Sequence, residues 1–197
     1  DILQVELNTI ASSFGALSTR IAEMFQQLRA PDSLHAHVPE NTALYEIAAG
    51  IALAHEHYCT QTSTHSAIAI MVVQPNERNI SDQRLVEFEL LSKHNVVMQR
   101  ATLEELHDFG SVDESNFSFR FKGSEVSVVY YRAGYTPDDY PSEKQWSARL
   151  TIERSRAIKC PNIAYHLAGT KKVQQVLVGA GELERFCAST EDAAQLR

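Results

Sequence analysis

Apolar positions recur along the chain with two different periods, and the change from one to the other divides it. Ile2 to Val5 is a short apolar run leading into Glu6-Leu7-Asn8-Thr9 and reads as a strand. Leu17, Ile21, Met24, Phe25 and Leu28 fall on one face of an amphipathic helix that Pro31 stops. A polar loop from Asp32 to Asn41 leads to Thr42, placed to cap a second helix with an apolar stripe of Leu44, Ile47, Ala48, Ile51 and Tyr58. Gln61 to Ser66 is small and polar, and a domain boundary is expected there.

Beyond it the pattern alternates between strand and helix. Ala67 to Val73 is apolar on both faces, as a strand buried in a parallel sheet should be. Ser81 to Lys93 predicts a helix with Ser81 as N-cap, and Val96 to Met98 a second buried strand. Thr102-Leu103-Glu104-Glu105 is a capping box opening a short helix. Phe117, Phe119 and Phe121 alternate with polar residues, Lys122 to Glu125 turns the chain, and Val126 to Tyr131 returns as a strand. Glu143 to Lys159 predicts one long charged helix ended by Pro161, and Lys171 to Leu177 a last one with Gly179 near its end. The βαβ order predicts a small doubly wound α/β domain with a parallel sheet.

Composition narrows the function. The 197 residues are 44% hydrophobic and 22% charged, as in ordinary globular proteins, and no apolar run approaches the roughly 20 residues of a membrane span. The opening Asp1-Ile2-Leu3-Gln4 lacks the basic region of a signal peptide. A net charge of −7 argues against nucleic acid as partner, and requires any anion site to gather its Arg and Lys locally. The 3 cysteines, Cys59, Cys160 and Cys187, are far apart and odd in number, which suits a reducing cytoplasm.

Candidate chemistry lies where strands end, since open parallel sheets bind ligands beyond the carboxyl ends of their strands. After Val73 come Glu77, Arg78 and Asn79, with Asp82 and Gln83 a turn later: acceptor, charged fork and amide, which suit a zwitterionic amino-acid group. After Tyr131, Arg132-Ala133-Gly134-Tyr135 offers a guanidinium able to clamp a carboxylate. Glu6 and Asn8 share one strand face and can point oxygens at a hard cation. Ser12-Ser13-Phe14-Gly15 presents donors before a helix, suited to an anion.

Taken together, Glu6 to Gly15, Glu77-Arg78-Asn79-Ile80 with Asp82-Gln83-Arg84, Val128 to Tyr135, Trp146, Ala148-Arg149-Leu150, Glu153-Arg154-Ser155, Lys159-Cys160-Pro161 and Leu167 to Gln175 resemble eukaryotic glutathione synthetase, in its order and nearly its spacing. The resemblance implies an ATP-grasp fold with an inserted Rossmann-like substrate domain. It divides this chain into a partial ATP-grasp segment (1–64), the substrate domain (65–168) and a returning helix (169–197). It implies ATP-dependent ligation of γ-glutamylcysteine to glycine through an acyl phosphate, with Mg²⁺, in a homodimeric cytoplasmic enzyme. Glu6 and Asn8 are then expected magnesium ligands, and Glu6 and Lys171 nucleotide contacts. Ile10, Ala11, Ser12, Ser13, Glu77, Arg78, Asn79, Gln83, Arg132, Ala133, Gly134 and Tyr135 are expected to form the dipeptide site. Arg132 is also expected to offset charge in catalysis.

Two positions depart from the family pattern. Ala11 replaces the usual Ser and Ala133 a common Asp, removing a hydroxyl and a carboxylate. The family's glycine-rich lid, its glycine-binding residues and an upstream Arg-bearing segment have no match, so the chain alone is expected to be inactive. The alternative is a non-catalytic protein that binds glutathione or the dipeptide. A nicotinamide enzyme is disfavoured, because no glycine fingerprint follows the Val73 strand. His55, His57 and Cys59 read as a solvated helix face and His35 and His37 as loop residues. Cys160 reads as a buried structural thiol, and Arg149, Arg154, Arg156 and Lys159 as a salt-bridged helix surface.

Overall fold

Ile68 to Val72 are all buried, and their side chains alternate between two hydrophobic cores. That is the signature of a central strand covered on both faces. A computed structural model describes residues 5–28 and 38–196. The strand expected from Ile2 falls outside the described residues except for Val5, as do Pro31, His35 and His37.

Chain order gives α1 (Gly15–Gln27), α2 (Ala43–Thr62), β1 (Ile68–Val72), α3 (Ile80–His94), β2 (Met98–Ala101), α4 (Leu103–Phe109), β3 (Gly110–Val112), β4 (Phe119–Phe121) and β5 (Ser124–Tyr131). After a 3₁₀ turn at Pro137–Asp139 come α5 (Glu143–Arg154), β6 (Ile158–Cys160), α6 (Ile163–Ala168), α7 (Lys171–Leu177) and α8 (Thr190–Leu196). β1 pairs in parallel with β2 on one side and β5 on the other, and β6 pairs in parallel with β5. The antiparallel β3–β4 hairpin joins the beginning of β5. The sheet is thus mostly parallel, in a mixed α/β fold.

One core packs Ile68, Ile70 and Val72 against Leu103 and Leu106 of α4 and Ala148 and Ile152 of α5. The other packs Ala69, Met71 and Val73 against Ala16, Leu44, Ala48, Ile51, Val86 and Leu90, from α1, α2 and α3. The polar stretch before β1 therefore connects helices and sheet that share a core. From β1 the chain winds to β2 on one side and then returns to β5 on the other. The carboxyl ends of β1 and β5 are accordingly the topological switch point, where such sheets bind ligands.

Several expectations shift. The helix after β1 starts at Ile80 with Asn79 as its cap residue, not Ser81. Val96 does not enter the ladder: its N–H bonds the Leu90 carbonyl, closing α3 after a left-handed Asn95, and β2 begins at Met98. Thr42 makes no side-chain cap. Asn41 accepts from the Ala43 N–H, and Thr19 of α1 accepts from that of Leu44. The long helix to Lys159 stops at Arg154, where Ser155 turns extended and its hydroxyl bonds the Ile152 carbonyl, releasing Ile158–Cys160 as a sheet strand. On α1 the expected apolar face is open, with Ile21, Met24, Phe25 and Leu28 each about half exposed, while Ala16 and Thr19 face inward.

Candidate functional site

Asp82 sits in the first turn of α3, 1% exposed, and its carboxylate gathers groups distant in sequence. Oδ2 accepts from Arg132 Nη1 at 3.0 Å and from the Phe14 N–H at 3.1 Å. Oδ1 accepts from the N–H groups of Ala16 at 3.0 Å and Leu17 at 3.1 Å. The donors at the start of α1 are thus met by the chain's own Asp82; of the expected Ser12–Gly15 stretch only the Phe14 N–H takes part, with Ala16 and Leu17 beyond it. Arg132 is also buried, and its Nε has no hydrogen-bond partner among the described residues. The Ala11 N–H bonds the Tyr131 carbonyl at 3.2 Å, which fastens the Ile10–Ser13 loop to the end of β5.

The Glu77 to Gln83 turn is held by its own side chains. Glu77 accepts from the Asn79 N–H and from Gln83 Nε2, each at 2.7 Å. Gln83 is fully buried, and its Oε1 accepts from Arg100 Nε at 3.0 Å, so both ends of its amide are engaged. Arg78 between them is exposed. On the other side, Asp139 Oδ2 accepts from the N–H groups of Gly134, Tyr135 and Thr136 at 3.0 to 3.2 Å, and its Oδ1 from Gln74 Nε2 at 2.9 Å. Gly134 has φ +88°, and a Cβ there would meet the Tyr140 hydroxyl at 2.9 Å, so the tight turn after Arg132 requires glycine. Ala133 is buried in the turn, and Tyr135 points its exposed ring outward. Beside this turn a cavity of about 110 Å³ opens at the ends of β1 and β5, lined by Val73, Gln74, Thr102, Ala133, Asp139 and Gln145 among others.

Glu6, Asn8 and Lys171 form a second group. Asn8 Nδ2 donates to Glu6 Oε1 at 3.4 Å, and Lys171 Nζ lies 3.2 Å from Glu6 Oε2. Their segments touch because Gly169 has no side chain: a Cβ would lie 2.2 Å from Thr9 Oγ1 and 2.9 Å from the Leu7 carbonyl. The structure therefore brings together Ile10–Ser13, Glu77–Gln83 and Arg132–Tyr135 at one end of the sheet, with Glu6 and Asn8 on the segment leading into that loop, which is irregular over residues 5–9 and not the expected strand, and Lys171 at the start of α7.

Asp82 and Asp139, which organise the site, were not singled out as site residues from sequence. Asp139 had a readable signal, the Thr136-Pro137-Asp138-Asp139 capping box, in which Thr136 and Asp139 bond each other. Asp82 is legible as a polar residue of the turn after β1, but its organising role is not, because its partners lie 50 to 68 residues away.

The side chains set aside as bland also differ in detail. Cys160 is exposed, not buried. His55 is half-buried, with Nδ1 2.7 Å from the Ser127 hydroxyl and Nε2 3.5 Å from the Cys59 thiol, and burial lowers its pKa. No group able to hold a metal ion is formed by three or more His, Cys, Asp or Glu among the described residues. Arg156 pairs with Glu125 at 2.9 Å and Arg154 is exposed, whereas Arg149 is buried over the Tyr131 ring. No helix among the described residues is long and apolar enough to cross a membrane.

Polar loops converging on the switch point of a mostly parallel sheet define a doubly wound α/β class of protein. Comparison with known proteins carries this further. The model of the eukaryotic glutathione synthase family matches residues 67–168, and the chain belongs to that family. It is 45% identical to the chloroplastic glutathione synthetase of Arabidopsis thaliana, over 100% of this chain and 36% of that protein. It is 44% identical to the Dictyostelium discoideum glutathione synthetase over 98% of this chain and 42% of that one. The human glutathione synthetase is 41% identical over 98% and 40%. The chain thus spans about two fifths of these relatives. In fold it is similar to a glutathione synthetase-like effector of Globodera pallida, with a TM-score of 0.75 at 22% identity over 93% of this chain and 42% of that one.

Proposed function

We propose that the chain is the substrate-binding part of a ligase of glutathione biosynthesis that joins γ-glutamylcysteine to glycine at the expense of ATP. The observation that carries this reading is the Asp82 node. It ties Arg132 to the loop before α1, so that the segments expected to hold the dipeptide face one another. In this reading Arg78 and Tyr135, both exposed, meet the ligand directly. The N–H groups of Ile10, Ser12 and Ser13 and the Asn79 amide hold its polar ends, and the exposed hydroxyl of Ser13 turns toward it, while that of Ser12 first leaves the Asn8 carbonyl 3.4 Å away. Glu77 and Gln83 act by fixing the turn that carries Arg78. Arg132, half-neutralised by Asp82, offers the unpaired Nε to a carboxylate and offsets charge that develops on it.

Glu6 and Asn8 fit a magnesium ion. Both are exposed, their side chains lie 3.4 Å apart, and they supply the hard oxygens that this ion prefers. When bound, the ion would neutralise phosphate charge during transfer. Lys171, 3.2 Å from Glu6, is placed to leave that carboxylate for a nucleotide phosphate. The ligand carboxylate would become an acyl phosphate and glycine's amine would displace the phosphate, a sequence that needs positioning and electrostatics and no side-chain nucleophile. Residues 1–64 and 169–197 would belong to the ATP-grasp region of a homodimeric cytoplasmic enzyme.

Two measurements on this chain test the proposal. Calorimetric titration with γ-glutamylcysteine should give saturable binding, and its absence would overturn the dipeptide assignment. Phosphate release with ATP, γ-glutamylcysteine and glycine should stay at background. Turnover would show that these residues alone carry the reaction.

A further inference from the structure

Arg149 on α5 is 5% exposed, and its Nε and both Nη atoms are buried with no well-formed hydrogen bond to any described residue, the Tyr140 side chain lying near. Its guanidinium carbon lies 3.9 Å from the centroid of the Tyr131 ring, whose own hydroxyl is also buried and unpartnered. A cation taken out of water without an ion pair costs stability, and the face of an aromatic ring returns only part of that cost. No ion pair or well-formed hydrogen bond with a described residue accounts for a charge at this position. Local rules are broken in this way mainly where function requires it.

The position of Arg149 indicates what that requirement is. Tyr131 ends β5, its carbonyl receives the Ala11 N–H at 3.2 Å, and the next residue, Arg132, bonds the Val72 carbonyl through its N–H at 2.9 Å. A Cβ on Gly134 would lie 3.7 Å from Arg149 Nη1, so the guanidinium also backs the turn after Arg132. Tyr140 completes the wall: its hydroxyl donates to the Gly134 carbonyl at 2.9 Å, and its ring stacks on Trp146 of α5 at 3.9 Å. One helix thus supports, through Tyr131 and Tyr140, the junction of the Ile10–Ser13 loop with the Arg132–Tyr135 turn.

We propose that Arg149 is a positioning residue for the dipeptide site, holding these two segments in register through the Tyr131 ring without touching the ligand. The proposal rests on the dipeptide reading given above.

The test compares the wild-type chain with Arg149→Met, Arg149→Lys and, as a control, Arg154→Met at an exposed position of the same helix. Each is titrated with γ-glutamylcysteine in a calorimeter and melted in parallel. Arg149→Met should unfold at or above the wild-type temperature yet bind at least roughly tenfold more weakly, the scale of losing a supporting contact behind a site. Arg154→Met should change neither. A folded Arg149→Met with wild-type affinity would overturn the proposal. If that variant does not fold, Arg149→Lys decides, since it keeps the charge but loses the planar face on the ring. Wild-type affinity in folded Arg149→Lys, or failure of both variants to fold, would also overturn it. A wild-type chain that does not bind would instead sink the dipeptide reading, an outcome visible before any variant is made.

Discussion

Arg132 Nη1 and Asp82 Oδ2 meet at 3.0 Å in an ion pair whose side chains are 3% and 1% exposed. The same carboxylate receives three N–H groups from the start of α1. The pair therefore joins three segments, and neither charge can be removed alone without stranding the other.

Asp82→Asn should consequently be among the most damaging conservative changes in the chain. It leaves Arg132 buried and uncompensated and replaces an acceptor by a donor facing N–H groups. Breaking one partner of a buried pair costs about 3–5 kcal/mol. Urea denaturation should register a loss of that order. A loss below about 1 kcal/mol would mean that the node is not needed for the fold.

Gly134→Ala should cost about 2 kcal/mol, because φ of +88° is unfavourable for any side chain and the added carbon would meet the Tyr140 hydroxyl at 2.9 Å. Dipeptide affinity should fall with it, since the turn carries Arg132 and Tyr135. Urea midpoint and calorimetry on the same variant check both effects.

At the neighbouring group, Gly169→Ala would place a carbon 2.2 Å from Thr9 Oγ1. The segment holding Glu6 should detach from Lys171 while the sheet core stays intact. Limited proteolysis should then cut near residues 5–9 faster than in the wild type, with an unchanged melting temperature.

Stability should also fall on acidification. Burial lowers the pKa of His55 and, with the nearby Arg149 charge, that of His166. The unfolded chain therefore takes up protons on these rings at a higher pH than the folded one. Stability is full above the unfolded value of about 6.5 and is lost as pH drops through it toward the lower folded values. Urea midpoints at pH 7.5 and 5.5 should show this decline, and His55→Gln should make it shallower.

Much of the architecture was legible because it follows from periodicity. Ile68 to Val72, buried on both faces, and the Thr102 capping box stand where the pattern put them. The losses are physical in origin. Ile158–Cys160 is a strand of 3 residues, too short to show a period, and Glu143 to Lys159 reads as unbroken helix until Ser155 is seen to cap it. The open face of α1 looked like a core stripe because spacing does not reveal what lies opposite it. Around the site, the loop residues were recoverable from the family resemblance, whereas Asp82 depends on contacts across the fold. Arg149 read as a surface charge because burial of a cation leaves no mark in a helical repeat.

The central claim, that these loops form a dipeptide site, is tested most directly by backbone amide NMR of the labelled chain during titration with γ-glutamylcysteine. The account predicts saturable shifts concentrated at Ala11 to Ser13, Arg78 and Asn79, and Gly134 and Tyr135. No shifts, or shifts confined to the far end of the sheet around Ser124 and Glu125, would contradict it.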